Sequence, residues 1–269
     1  MPNHRENHSN HQDESVPESK RLTAPQIFEA ATENARSELS RSWRSLAFSG
    51  LAGGITLGLT GIGVASVQAI LGEGNWQQLV SYLLYPSGFI AVIIGRSQLF
   101  TENTLYPVVL VLDERGHLLN TLRLWVVVFT SNILGAVCFA ALAIRTQALR
   151  PEISQALVRM GQDAAFGSFG HLFWSGVVGG WIIALVAWMV TASHWTIGQV
   201  VMIWLLTFIL GVGRFSHCVV SSCEILSAVM AGTVSAGAYF QWLLPATVGN
   251  IVGGVGIVSV LNYGQVRQE

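Results

Sequence analysis

Six apolar blocks follow one another along the chain after residue 45, and ionisable residues almost vanish within them. A helix needs about 20 apolar residues to cross the hydrocarbon core of a bilayer. The pattern therefore predicts an all-α membrane protein with six transmembrane helices. We place the six spans at residues 46–71, 79–112, 122–144, 170–192, 197–231 and 240–262.

The second and fifth blocks are too long for a single span, and a polar cluster interrupts each of them. The cluster in the second block covers residues 95–104, and that in the fifth covers residues 213–222. Backbone groups freed by a helix break are tolerated in lipid only when they are buried in protein or line an aqueous cavity. The pattern therefore predicts that the second and fifth helices are broken and that both breaks face an internal cavity.

The residues ahead of the first span change from polar to amphipathic. We interpret residues 1–24 as a disordered polar cytoplasmic tail, although its three histidines leave a metal site open. Across residues 25–45, apolar residues recur at every third or fourth position, which predicts an amphipathic helix on the bilayer surface or on the inner face of the protein. The six-helix transmembrane domain then occupies residues 46–263, and residues 264–269 form a cytoplasmic C-terminus.

The composition supports the membrane interpretation and argues against several other classes of protein. Of the 269 residues, 51% are hydrophobic and 11% are charged, whereas about 25% are charged in a typical soluble domain. The formal net charge of -1 gives no electrostatic reason to expect a nucleic-acid partner. Three cysteines in apolar sequence are too few for a disulfide framework.

Lysine and arginine are unequally distributed between the two sides that an even number of spans creates. Eight lie on the side that holds both termini, and three lie on the opposite side in the loop 145–169. Because cytoplasmic segments carry the excess of these residues, we predict that both termini lie in the cytoplasm.

Three short motifs recur in the same order in the two halves of the chain. The matched segments are 49–54 and 175–180, 95–96 and 213–214, and 132–135 and 250–253. Each half holds three spans, an odd number, so the second half enters the membrane in the opposite sense. We therefore predict two inverted three-helix repeats; chance similarity in glycine-rich apolar sequence is the alternative.

Ionisable side chains inside the predicted spans are candidates for function, because a charge at mid-bilayer costs roughly 2.5–3.5 kcal/mol. Two structural Arg–Glu pairs are the alternative interpretation. A positive lining attracts small anions, and a histidine that titrates near neutral pH can donate a proton to one of them. The neutral weak acid formed in this way costs much less to desolvate than the anion where the pathway is narrow. Nearby hydroxyl groups can hydrogen-bond to it. Glu224 also belongs to the ionisable residues inside the spans. The candidate residues of this pathway are Arg96, Thr101, Glu102, Asn103, Arg214, His217 and Ser221.

The sequence resembles the formate/nitrite transporter family at Leu99-Phe100-Thr101, at His217 and at residues 249–254. The likeness covers about residues 25–265 and is closest to a bacterial inner-membrane branch with the loop Gln-Leu-Phe-Thr-Glu-Asn-Thr. The resemblance implies an aquaporin-like fold with a pore in each protomer of a homopentamer. It also implies passage of small monovalent anions or their acids, such as formate, nitrite, hydrosulfide, acetate or lactate, often with a proton.

The resemblance also assigns roles to individual residues. It makes His217 the central histidine and Thr101 the loop threonine. The sequence departs from the family at Ser221, where asparagine is frequent, and at Arg96 and Arg214, where small residues are common. The residues that the resemblance assigns to an apolar constriction are Tyr85, Phe89, Leu99, Phe100 and Leu210.

Other functions compete with transport of anions. A membrane hydrolase needs a serine activated by a histidine base, but Ser216 and His217 are neighbours in sequence, and such neighbours rarely face each other. The spacing of His217 with Cys218 and Cys223 matches no common zinc pattern. We therefore predict no enzymatic activity, catalytic residue, cofactor or metal. A channel for neutral solutes and a non-conducting membrane sensor of the same fold stay open as alternatives.

Overall fold

The regular structure in the described part of the chain is helical. The computed structural model describes residues 21–72 and 74–267, so the predicted polar tail up to residue 20 lies outside the described residues. A short 3-10 helix covers Glu102–Thr104, and a π-helical stretch covers Gly253–Val260. The α-helices in the described ranges are α1 (Ala24–Ser40), α2 (Trp43–Leu71), α3 (Asn75–Tyr82), α4 (Pro86–Ile94), α5 (Tyr106–Glu114), α6 (Leu118–Arg145), α7 (Pro151–Ala164), α8 (Phe169–Ala192), α9 (Thr196–Val212), α10 (Val220–Met230), α11 (Ala236–Val252) and α12 (Leu261–Arg267).

Five helical segments are long and apolar enough to cross a membrane, which makes the protein an all-helical, multi-pass membrane protein. Helices α9 and α10 are also apolar but hold only 17 and 11 residues. The number of long spans differs from the six that the sequence predicts, because the segment between α9 and α10 divides the fifth apolar block. The five long segments are Trp43–Leu71, Asn75–Ile94, Leu118–Arg145, Phe169–Ala192 and Ala236–Val266.

Helix α1 packs on the protein through its apolar stripe. The stripe from Phe28 to Leu39 is buried, and the helix contacts α5, α8 and α12. The helix ends at Ser40, earlier than the predicted boundary at residue 45. Ser42 has an extended backbone, and its side chain accepts a hydrogen bond from the Ser45 N–H. This cap starts α2 at Trp43, so α1 cannot continue to residue 45. The apolar stripe of this helix therefore faces the protein.

Helix α2 packs closely on α6, and α8 packs in the same way on α11. A Cβ atom at Gly54 would overlap the backbone oxygen of Asn132, and one at Gly180 would overlap the backbone oxygen of Asn250. Small residues at such crossings let two helix backbones approach closely. Close packing of this kind drives helix association in a bilayer, because lipid tails are as apolar as the side chains and the hydrophobic effect contributes little. The two glycine crossings set the distance between α2 and α6 and between α8 and α11.

Candidate functional site

The chain leaves helical geometry after α4 and again after α9 by the same turn. Arg96 and Arg214 have φ angles of 58° and 50°, in the left-handed region that few residues other than glycine adopt. The N–H of Ser97 bonds to the carbonyl of Val92 at 3.0 Å, and the N–H of Phe215 bonds to the carbonyl of Leu210 at 3.1 Å. This pattern closes a helix end and satisfies its last carbonyls, so both helices stop at equivalent points.

A buried asparagine side chain supports the backbone after each stop. The amide of Asn132 donates to the carbonyl of Gly50 at 2.7 Å and to that of Gln98 at 2.9 Å, and its oxygen accepts from the Phe100 N–H at 2.9 Å. The freed backbone groups of the first break are thereby paired inside the protein, as a lipid environment requires.

The second break has the same support. The amide of Asn250 donates to the carbonyls of Gly176 at 2.7 Å and Ser216 at 2.9 Å, and its oxygen accepts from the Cys218 N–H at 2.8 Å. A serine hydroxyl on the preceding helix also accepts an N–H in each half, Ser49 in the first and Ser175 in the second. The asparagines lie in the motif repeated at residues 132–135 and 250–253, but their role in holding the breaks was not part of the sequence prediction.

The two breaks bring Thr101 and His217 together. Thr101 Oγ1 lies 2.8 Å from His217 Nε2, and both side chains are fully buried. His217 Nδ1 accepts a hydrogen bond from the Val220 N–H at 3.1 Å, with the Val219 N–H at 3.4 Å. A ring nitrogen that accepts carries no proton, so the neutral imidazole has its proton on Nε2 and donates it to Thr101.

Apolar side chains surround the imidazole. The rings of Phe89 and His217 meet edge to face, with their centroids 5.2 Å apart. The ring centroids of Tyr85 and Phe89 are 6.0 Å apart. Phe89 and Leu210 are completely buried, and Leu99 is 1% exposed. The ring of Phe100 instead contacts aromatic side chains of α6, Trp125 and Phe129. Among the predicted constriction residues, Tyr85 and Phe89 are thus joined to His217 by ring contacts.

Two polar cavities flank the Thr101–His217 pair. A larger cavity of about 210 Å³ is lined by Arg214, Ser221, Glu224 and Tyr85 among others, and it reaches Ser175 near the start of α8. A smaller cavity of about 70 Å³ is lined by residues that include Arg96, Leu99, Glu102 and Asn103, and it reaches Val190 near the end of α8. At about 1.5 Å per residue, the two points on α8 are about 22 Å apart along the helix.

The cavities therefore lie at opposite ends of a helix long enough to span the membrane. Thr101 and His217 line neither of them. The contacts lead from Tyr85 in the larger cavity through Phe89 and His217 to Thr101, next to Leu99 in the smaller cavity. The predicted pathway residues other than this pair are thus divided between two cavities, and a buried, largely apolar segment lies between them.

Both arginines lie at the outer parts of the cavities and are exposed. Arg214 Nη2 donates to Gln78 Oε1 at 3.0 Å, and Arg214 Nη1 lies 3.7 Å from Asp163. Within residues 21–72 and 74–267, Arg96 and Arg214 form no salt bridge with the glutamates of their own cavities. The alternative of two structural Arg–Glu pairs is therefore not the arrangement of this structure.

Helix α1 contributes to the smaller cavity, which the sequence did not indicate. Glu38 Oε2 accepts from Gln98 Nε2 at 2.7 Å and from Arg41 Nη1 at 3.0 Å. Gln98 Oε1 in turn accepts from the amide of Asn103 at 2.8 Å. Glu38 belongs to the polar face of an amphipathic helix, and residues on such a face are usually exposed to solvent. Its contact with the break depends on the docking of α1, which no local pattern reveals.

The fold and the paired cavities define a multi-pass helical membrane protein with a polar cavity on each side of a buried histidine. The chain belongs to the formate/nitrite transporter family: the family described as "Formate/nitrite transporter" matches residues 25–264. The prediction of this family is confirmed.

Curated relatives agree with the family assignment. "Inner membrane protein YfdC" of Escherichia coli is 32% identical over 90% of this chain and 79% of the relative. "Probable formate transporter" of Methanothermobacter thermautotrophicus is 30% identical over 69% of this chain and 74% of the relative. "Formate channel BtFdhC" of Bacillus thuringiensis is 23% identical over 91% of this chain and 95% of the relative.

Solved structures share the fold. An "FNT family ion channel" has a TM-score of 0.80 at 18% sequence identity and covers 89% of this chain and 98% of that chain. A "Pentameric formate channel with formate bound" has a TM-score of 0.70 at 19% identity and covers 84% of this chain and 98% of that chain.

Proposed function

We propose that the protein is a channel or transporter for small monovalent anions or their weak acids, of the formate and nitrite type, with one pathway in each protomer. The observation that carries this proposal is the hydrogen-bonded Thr101–His217 pair, buried between two polar cavities that each hold an arginine. The relatives named as formate transporter and formate channel support the same substrate class.

The arginines and the apolar segment have different roles in the passage of the substrate. Arg96 and Arg214 attract an anion into a cavity, since a guanidinium binds carboxylate-like groups well. The segment around Phe89 and Leu210 offers no polar replacement for water, so a bare anion meets a high desolvation cost there and a neutral acid meets a low one. Passage is therefore linked to a proton.

His217 provides the polar contact inside this segment. Its Nε2–H is held toward Thr101, and an oxygen of formate or nitrite takes the place of that hydroxyl as the acceptor. The proton linkage predicted for His217 takes a narrower form in this proposal: the imidazole hydrogen-bonds the substrate, and a proton travels with the substrate.

The topology proposed for this pathway has six helices in two inverted repeats, with broken second and fifth helices, as in an aquaporin-like fold. The repeated turns at Arg96 and Arg214 and the repeated asparagine contacts of Asn132 and Asn250 support it. With both termini in the cytoplasm, the smaller cavity beside α1 opens to the cytoplasm and the larger cavity to the periplasm. We extend the pentameric assembly named for one structural neighbour to this chain as a homopentamer in the inner membrane.

Flux into proteoliposomes tests the proposal. Formate, nitrite, acetate and hydrosulfide are offered from about pH 5 to about pH 8, a range that brackets weak-acid and histidine titration, with protein-free vesicles as background. We expect flux of at least one anion, a strong loss in His217→Gln, and none in the matched control His194→Gln, which alters an exposed histidine outside both cavities. No flux of any anion favours a membrane sensor, and flux of neutral solutes alone favours a neutral-solute channel.

A further inference from the structure

Two carboxyl groups, Glu102 and Glu224, lie one in each cavity and have no use in the pathway described so far. Glu224 is 7% exposed, and Glu102 is half-buried. Among the side chains of residues 21–72 and 74–267, neither carboxyl has a hydrogen bond or a salt bridge, although Arg96 and Arg214 act on them at longer range. An unpaired carboxylate inside a membrane protein is costly, which makes both groups functional candidates.

Their positions place them on the two approaches to the buried pair. The N–H of Ser221 bonds to the carbonyl of His217 at 3.1 Å, so a helical turn connects the histidine with α10. Ser221 and Glu224 follow His217 at the fourth and seventh positions, which lie on one face of a helix, and both line the larger cavity. On the other side, Glu102 directly follows Thr101 and lines the smaller cavity.

The imidazole has no free position for a second proton. Its Nδ1 accepts the Val220 N–H, and its Nε2 already carries the proton that points to Thr101. Charging the ring would break the backbone contact in surroundings formed by Phe89 and other apolar side chains. A proton that accompanies the substrate must therefore be supplied by another group.

We propose that Glu224 and Glu102 form a proton relay around the constriction, a role that rests on the proposed function. A protonated Glu224 gives its proton to the incoming anion, so the new O–H bond of the weak acid replaces the O–H bond of the carboxyl. The neutral acid crosses beside His217, and the Glu102 carboxylate takes the proton back and releases the anion. Water in each cavity reloads Glu224 and unloads Glu102, so one anion and one proton cross together, and the cycle runs in either direction.

The charges of the smaller cavity agree with this role. Glu38 is paired with Arg41 at 3.0 Å, so Glu102 is the carboxyl that opposes the charge of Arg96. With Glu102 ionised, these two charges offset each other. With Glu102 protonated, the positive charge of Arg96 is uncompensated and attracts an anion. The other titratable groups that face the two carboxyls are Glu38, Arg96 and Tyr106 around Glu102, and Tyr82, Tyr85, Arg159, Asp163, His171, Arg214 and Cys223 around Glu224.

The test compares formate with formamide, a neutral solute of the same size, in proteoliposomes that contain a pH indicator. The variants are Glu102→Gln and Glu224→Gln, and the matched control is Glu29→Gln, which removes a carboxyl from the exposed face of α1. Because a positioned acid contributes at least about 100-fold to a proton-transfer step, we expect formate flux and its accompanying proton flux near pH 6 to fall at least 10-fold in both variants. Formamide flux stays within twofold of the wild type, and Glu29→Gln behaves as the wild type.

The outcomes separate the relay from the proposed function. Wild-type formate flux in either variant overturns the relay while leaving the transporter intact. An equal loss of formamide flux also overturns it, because the glutamates are then structural. If the wild-type protein passes no weak-acid anion at all, the proposed function itself fails.

Discussion

The buried amide of Asn132 is expected to hold the first break in place, and Asn132→Ala tests this directly. The substitution leaves the Phe100 N–H and the Gln98 carbonyl without the partners they have at 2.9 Å each. Leaving a buried polar group unpaired costs about 1–3 kcal/mol, so two groups give about 2–6 kcal/mol. For a chain of this size 1 kcal/mol lowers the Tm by roughly 2–4 °C, and we expect a fall of about 5–20 °C in detergent.

The assay is thermal unfolding followed by size-exclusion chromatography, together with formate flux of the protein that remains folded. Asn250→Ala serves as the paired test, because its amide makes the same three contacts in the second break. Asn262→Ala is the matched control, since that half-buried amide makes a single hydrogen bond, to the carbonyl of Val258. Wild-type melting and wild-type flux in both Asn132→Ala and Asn250→Ala would refute the role of these side chains.

Three further predictions concern packing, the constriction and α1. Gly54→Val is expected to abolish folded protein because its side chain would enter the backbone of α6, whereas Gly170→Val, which meets open space, leaves the yield unchanged in expression trials. Thr101→Val leaves the imidazole N–H without an acceptor, so we expect a loss of about 1–3 kcal/mol of stability and reduced anion flux, with Thr101→Ser retaining both; melting curves and flux decide. The hydrogen bond from Arg36 lowers the pKa of Glu114 below its ordinary value of 4.5, so the stabilisation of α1 is complete above pH 4.5 and is lost as the pH falls through the lowered value. Hydrogen exchange of α1 measures this loss, and Arg36→Met weakens the pH dependence, because the contact of Glu114 with His117 stays.

The sequence predicts the membrane class and the polar segments that follow α4 and α9, because both depend on local composition. A polar cluster such as residues 95–104 inside an apolar block contradicts a continuous span wherever the rest of the chain lies. The sequence also places Thr101 and His217 in two polar segments expected to face each other, and their side chains lie 2.8 Å apart. The partners of Arg214 did not follow, because Gln78 and Asp163 belong to segments whose approach depends on tertiary packing.

The two halves of the chain agree most closely in their turns and asparagine contacts, and they differ at the candidate site. Arg96 and Arg214 lie 118 residues apart and adopt the same backbone conformation. Asn132 and Asn250, also 118 residues apart, each accept a hydrogen bond from a backbone N–H in the equivalent place.

By the same spacing of 118 residues, the position equivalent to His217 in the other half is Leu99, and the position equivalent to Thr101 is Val219. The hydrogen-bonded pair therefore has no symmetric counterpart. A symmetric site would place two imidazoles or two hydroxyls at the constriction and thus two equal partners. One donor and one acceptor instead satisfy each other when no substrate is present, which closes the segment at low cost, and either can be released to a passing oxygen. In the proposed function, divergence of the two halves at these positions is therefore what turns a shared scaffold into a site for the substrate.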